Sequence, residues 1–150
     1  MKLLTITLAA GLIASGAVSA NHVAGDVSIY TARINSGKVE ATARFDCSDS
    51  IYVFVQSDHP RDPRSTVEAR WTNPTGKLVK AGERGFEPMN SGGQYAWDGI
   101  DIEAGGNALG NVFSAMFDPA SGYEDAIGEW RVDVSVDGWD YSSLNVEVLC

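Results

Sequence analysis

The chain is poor in the residue types that most catalytic sites and anion-binding sites need. Of its 150 residues two are histidine and two are cysteine, and 11 Lys and Arg face 20 Asp and Glu, giving a formal charge of −9. A body this acidic repels phosphate backbones and anionic headgroups, so nucleic acid is excluded as a partner bound through its backbone charge. His22 stands near the N-terminus, and His59 lies in Asp58-His59-Pro60-Arg61-Asp62-Pro63-Arg64, which reads as a solvated connection. No serine occupies the Gly-x-Ser-x-Gly context of a nucleophile elbow. The reading is a non-enzymatic protein without a cofactor.

A long apolar run is also lacking beyond the first twenty residues. Those begin Met1-Lys2, continue through Leu3 to Ala14 and end in Val18-Ser19-Ala20, the order of a secretory signal with cleavage after Ala20. Gly11, Ser15 and Gly16 interrupt the run before it reaches the ~18 to 20 apolar residues of a spanning helix. The expectation is a signal peptide over 1–20 and a single domain over 21–150, without membrane insertion, in the periplasm or outside the cell.

Export puts Cys47 and Cys150 in an oxidising compartment, where two thiols in a small domain are usually joined. Closing a loop of about 100 residues is worth roughly 4 to 5 kcal/mol in the chain-entropy model. A metal pair or reactive thiol lacks Cys-x-x-Cys spacing, a neighbouring histidine and a cation beside Cys150.

Metal sites are sparsely supplied as well. Cleavage would leave Asn21 first and His22 second, so terminal amine and imidazole fall on different residues, and no His cluster or Met run completes a copper site. Two oxygen-rich stretches, Asp98, Asp101, Glu103 and Asn107, then Asp118, Ser121, Glu124 and Asp125, suit calcium by donor type but match no calcium-loop pattern. They read as wet strand faces and loops, and no metal is expected.

What the chain does have is alternation. From Lys38 to Cys47 every odd position is apolar and every even one polar, the signature of one dry face, and this phase points Cys47 inward. Trp130, Val132, Val134 and Val136 share such a face, and so do Leu144, Val146, Val148 and Cys150. Further strands are expected over 26–33, 51–55, 66–72, 77–80, 95–103 and 109–117, with a helical turn near 123–127. Asn35-Ser36-Gly37, Asn73-Pro74-Thr75-Gly76, Asn90-Ser91-Gly92-Gly93 and Asp137-Gly138 punctuate them. About eight short strands predict an all-β fold, an antiparallel sandwich.

Aromatic residues supply the candidate site. Trp130 and Trp71 fall at core positions, whereas Tyr95 and Trp97, and Trp139 and Tyr141, follow turns near strand ends where a ring can be exposed. Such rings stack on sugars or anchor a protein partner; the alternative is that they plug the ends of the core.

The segments Gly128-Glu129-Trp130-Arg131-Val132-Asp133-Val134-Ser135-Val136-Asp137-Gly138 and Arg70-Trp71-Thr72-Asn73-Pro74-Thr75-Gly76-Lys77 resemble the last hairpin and an earlier strand-turn of secreted bacterial immunoglobulin-like domains. That resemblance implies a fold and no activity. Asn73-Pro74-Thr75-Gly76 and Gly92-Gly93 are also similar to two binding loops of the chagasin-like cysteine protease inhibitors. The expected function is therefore a binding or structural domain for an unknown protein or glycan, with a carbohydrate-binding module second and a protease inhibitor third.

Overall fold

A computed structural model describes residues 21–24, 26–102 and 125–149. They contain eleven strands: β1 (Asn21–Ala24), β2 (Val27–Asn35), β3 (Lys38–Ala41), β4 (Arg44–Asp46), β5 (Ser50–Ser57), β6 (Thr66–Thr72), β7 (Leu78–Gly85), β8 (Glu87–Pro88), β9 (Gln94–Asp101), β10 (Gly128–Val136) and β11 (Trp139–Leu149). Sheet A runs β1-β2-β5-β9-β8, with β3 also paired to β2. Sheet B runs β4-β11-β10-β6-β7. Every pairing is antiparallel except β4 with β11, which is parallel.

Turn chemistry sets two of the hairpins. Ser36 and Gly37 both have positive φ (51° and 77°), as do Asp137 and Gly138 (53° and 82°). Left-handed backbone at both central residues is the type I′ pattern whose twist matches the flanking strands, and here it closes Asn35 onto Lys38 and Val136 onto Trp139.

One core lies between the sheets. Sheet A contributes Val27, Ile29, Ile51, Val53, Val55 and Ala96; sheet B contributes Val67, Trp71, Trp130, Val132, Leu144 and Val146, all nearly inaccessible. The Trp130 indole donates to the Ala126 carbonyl at 2.7 Å, so its one polar atom is satisfied in the dry layer. The inward phase expected for β10 and β11 is the one observed.

The Lys38–Cys47 stretch departs from its expected form as one strand with a dry face. The chain leaves sheet A after Ala41 and enters sheet B at Arg44. Thr42 marks the crossing: its amide donates to the Thr31 carbonyl at 3.0 Å, while its hydroxyl bonds the Arg44 carbonyl at 3.0 Å. Alternation survives the switch, but the face it marks changes. Val39 is 49% exposed on the outside of sheet A, whereas Phe45 is 3% exposed inside sheet B. Cys47 packs against the core, and no described cysteine is a free thiol. The 1–20 segment, the 109–117 strand and Cys150 lie outside the described residues, and of the 123–127 turn only 125–127 are described, as turn and bend. Among the described residues no helix is long and apolar enough to cross a membrane.

Candidate functional site

The outward side of sheet A is where the residues depart most from what water demands. On β5, Ile51, Val53 and Val55 enter the core, which turns Ser50, Tyr52, Phe54 and Gln56 outward. Register then brings Tyr30 of β2 and Trp97 of β9 to either side of Phe54, a row of three rings across three adjacent strands. Gln56 faces Tyr95 in the next row.

These rings touch. Tyr30 and Phe54 stack with centroids 5.4 Å apart and planes at 15°, and Tyr52 meets Trp97 edge-on at 5.8 Å. Tyr52 fits because position 99 is glycine: a Cβ there would lie 2.7 Å from the tyrosine ring. Phe54 is consequently only 8% exposed although it faces outward, and Trp97, at 41%, is the open ring of the row.

A groove of about 610 Å³ runs over this row, with Ile34 and Val39 at one end and Pro88 and Met89 at the other. None of its lining residues is charged. Within it the Gln56 amide donates to the Tyr30 hydroxyl at 3.0 Å, and at its edge the Tyr95 hydroxyl donates to Glu87, outside the lining, at 3.2 Å. Burial holds the Tyr30 phenol above its ordinary pKa, the Gln56 bond opposing it slightly. Tyr95 is also raised, first because its neutral form donates to Glu87 and then because a phenolate would sit against that carboxylate.

The other outward side differs. On sheet B the solvent-facing positions include Glu68, Arg70, Glu83, Arg131, Asp133 and Glu147. On β2, β3, β5, β8 and β9 the same phase carries two charges among the described residues, the carboxylates of Glu87 and Asp101, and no cation.

Of the four ring positions singled out from sequence, Tyr95 and Trp97 line this one groove. Trp139 opens β11 in sheet B and is 75% exposed. Tyr141 lies in the same strand, and its side chain is outside what is described. Tyr30, Tyr52 and Phe54 were not among the sequence candidates. Their signal was present in Ile51-Tyr52-Val53-Phe54-Val55, where the phase that should be polar carries two aromatics.

Of the oxygen-rich stretch Asp98, Asp101, Glu103 and Asn107, the first two are among the described residues, and Asp98 differs from the outward Asp101. Asp98 points inward from β9 and is 2% exposed, accepting from the Trp71 indole at 2.9 Å and the Lys80 ammonium at 2.9 Å, with the Arg84 guanidinium at 3.5 Å. With two cations and an indole N–H around it, this carboxylate ties β9 to β6 and β7 and is no cation ligand. Among the described residues no group of three or more His, Cys, Asp or Glu can hold a metal ion.

A second ionic knot braces the end of the fold where β5 passes into β6. Arg61, largely buried, pairs with Asp26 at 3.0 Å and Asp137 at 3.7 Å and lies 5.2 Å from the Phe86 ring centroid. Asp137 accepts from the Ser65 hydroxyl at 2.7 Å and the Thr66 amide at 2.9 Å, and these bonds, with Arg61, hold its pKa below the usual carboxylate range. The two loop segments likened above to those of protease inhibitors lie apart: Asn73 to Gly76 closes one end of the β6–β7 hairpin, and Gly92-Gly93 lies beyond its other end, against Ser57 and Asp58. No protein-family model matches the chain, and no curated protein shows significant similarity to it.

Proposed function

We propose that this chain is an exported, non-enzymatic binding domain of immunoglobulin-like fold that engages its partner on the outward side of sheet A, around Trp97. The single observation carrying this is the contrast between the two outward sides: one charged, the other an uncharged aromatic groove. A solvent-facing sheet surface alternates to polar residues unless something else covers it, and contiguous apolar surface of this kind marks interaction sites.

The immunoglobulin-like assignment rests on strand order. Sheet A contains β2-β5-β9-β8 and sheet B contains β11-β10-β6-β7. That is the A-B-E-D and G-F-C-C′ arrangement of such domains, with Trp71 on the strand-C equivalent, where a buried tryptophan is characteristic. Export rests on the signal-like 1–20 segment; cleavage after Ala20 would make Asn21, the first residue of β1, the mature N-terminus. A Cys47–Cys150 bridge is supported by the parallel register of β4 and β11, in which Asp46 pairs with Leu149, one residue short of each cysteine. Intact mass after alkylation, with and without reductant, tests it; two free thiols in protein from the periplasm would refute the bridge.

Site-specific photocrosslinking in the native envelope tests the binding side. A crosslinking residue at position 97 is expected to give defined adducts, and one at position 131 on sheet B none. Equal adducts from both positions, or none from 97, would overturn the assignment. The exposed ring of Trp97 favours a carbohydrate-binding module as the second reading, and glycan-array binding lost on Trp97→Ala would raise it to first.

A further inference from the structure

The binding assignment above locates a surface, and the chemistry of that surface also selects its partner. Tyr30 and Phe54 stack face to face, so each covers one of the other's ring faces, and Phe54 is nearly buried while Trp97 is the exposed ring of its row. Gln56 already uses a donor on Tyr30 and Tyr95 uses its donor on Glu87, which lowers the groove's capacity for sugar hydroxyls. A second copy of the chain would bring carboxylates against carboxylates, since the charges on this side are Glu87 and Asp101 and the whole chain carries −9. Like charges across an interface disfavour it.

The same charges attract a basic partner. Glu87 lies opposite Tyr95 at the β8 edge, and Asp101 lies four residues beyond Trp97 on β9. From Tyr95 to Asp101 is six residues of strand, or about 20 Å at ~3.4 Å per residue. Glu87 adjoins the uncharged aromatic groove next to Pro88, and Asp101 lies outside it, farther along the same side of the sheet; two carboxylates about that far apart on one side suit several side chains of a polypeptide rather than one small cation. Resting on the binding assignment above, we propose that the occupant is a protein segment with an apolar centre flanked by lysine or arginine.

Fluorescence anisotropy tests this with a labelled 14-residue peptide of Lys, Leu and Trp, the same peptide with Glu replacing Lys, and cellohexaose. The basic peptide is expected to bind at least tenfold more tightly than the acidic one and to weaken with added salt. Trp97→Ala is expected to reduce its affinity tenfold or more and Glu87→Gln about threefold, with Trp97→Phe, which keeps a ring, staying within about threefold of wild type. Glu68→Gln and Glu83→Gln, on the opposite side of the fold, are the controls for attraction by net charge and are expected to change affinity less than twofold. Comparable binding of the acidic peptide, or Trp97-dependent binding of cellohexaose, would overturn the basic partner while leaving the surface assignment standing. If the Glu68 and Glu83 variants lose as much as Trp97→Ala, or Trp97→Ala loses nothing, both the partner and the surface fall.

Discussion

Along β10 the residues turned to water run Glu129, Arg131, Asp133, Ser135; along β5 they run Ser50, Tyr52, Phe54, Gln56. Both strands are central in their sheets and both bury valine on the other phase. Since the core is supplied equally well from either strand, the aromatic side chains of β5 are not needed to fill it. They form a second, thinner apolar layer on the outside, where Phe54 is covered by its ring neighbours and Trp97 is left open. The comparison shows that strand phase determines which residues fill the core, and that the residues on the remaining phase of β5 are released from that duty.

The strongest way to break the comparison is to find that inner and outer tryptophans matter equally to folding. Trp130 is 2% exposed and donates to Ala126, so Trp130→Ala is expected to destabilise by about 3 to 5 kcal/mol through lost burial and the cavity left behind. Trp97→Ala opens space to water rather than a sealed cavity, and about 1 to 2 kcal/mol is expected. Urea melts measure both; similar midpoints for the two variants would contradict the division into core and outer layer.

Next in size is Asp98→Ala. It removes the acceptor for the Trp71 indole and leaves Lys80 and Arg84 without the carboxylate they face. Both cations are partly exposed and can rehydrate, so the loss is set at about 2 to 3 kcal/mol, below that for a fully buried pair. Lys80→Ala, which still leaves Asp98 with the Trp71 indole N–H and Arg84, is expected to cost less than Asp98→Ala. The reverse order would mean that the carboxylate is dispensable to the link between sheets.

Much of the inner layer was legible in the sequence, because an alternating phase needs no knowledge of which strands are neighbours. Trp130, Val132, Val134 and Val136 could be assigned from spacing alone, as could Leu144, Val146 and Val148. Periodicity says which residues share a face but not which sheet owns it, and so the crossing at Thr42 went unseen and Val39 was grouped with Phe45. The outer layer was half legible. Tyr95 and Trp97 stood out beside their glycine turn, but Tyr30 and Phe54 joined them only through cross-strand register, which depends on pairings between strands more than twenty residues apart. Asp98 was misleading for a related reason: in sequence it sits among water-facing acids, yet its phase is that of Ile100 and Ile102.

A smaller effect separates the electrostatics of the two sides. Tyr95 ionises above its ordinary value because Glu87 accepts from its neutral form and repels its phenolate. A folded-state pKa raised in this way stabilises the fold below the unfolded value of ~10 and is lost as pH rises through the folded one. Glu87→Gln removes the charge, so the Tyr95 step in a phenolate absorbance titration is expected to move down toward ~10. An unmoved step would show that Glu87 and Tyr95 are not paired.

The smallest effect belongs to the charged side. Arg131 and Asp133 lie two residues apart on β10, with the guanidinium 2.7 Å from the carboxylate and Ser143 bonded to the same oxygen. The short distance suggests a strong pair, but the arginine side chain is 59% exposed and the aspartate 31%. Water solvates both ions when they separate, salt screens what remains, and ordering a long arginine side chain opposes the gain. A double-mutant cycle of Arg131→Ala and Asp133→Ala is therefore expected to give a coupling of no more than ~1 kcal/mol, falling further in salt. Arg70 lies opposite Asp133 on β6 but pairs with Glu68 at 3.6 Å, so the cycle reads the Arg131–Asp133 pair alone. A salt-insensitive coupling above ~2 kcal/mol would mean that sheet B's outward side is held as firmly as the aromatic groove, and the contrast on which the binding assignment rests would then lie in composition alone.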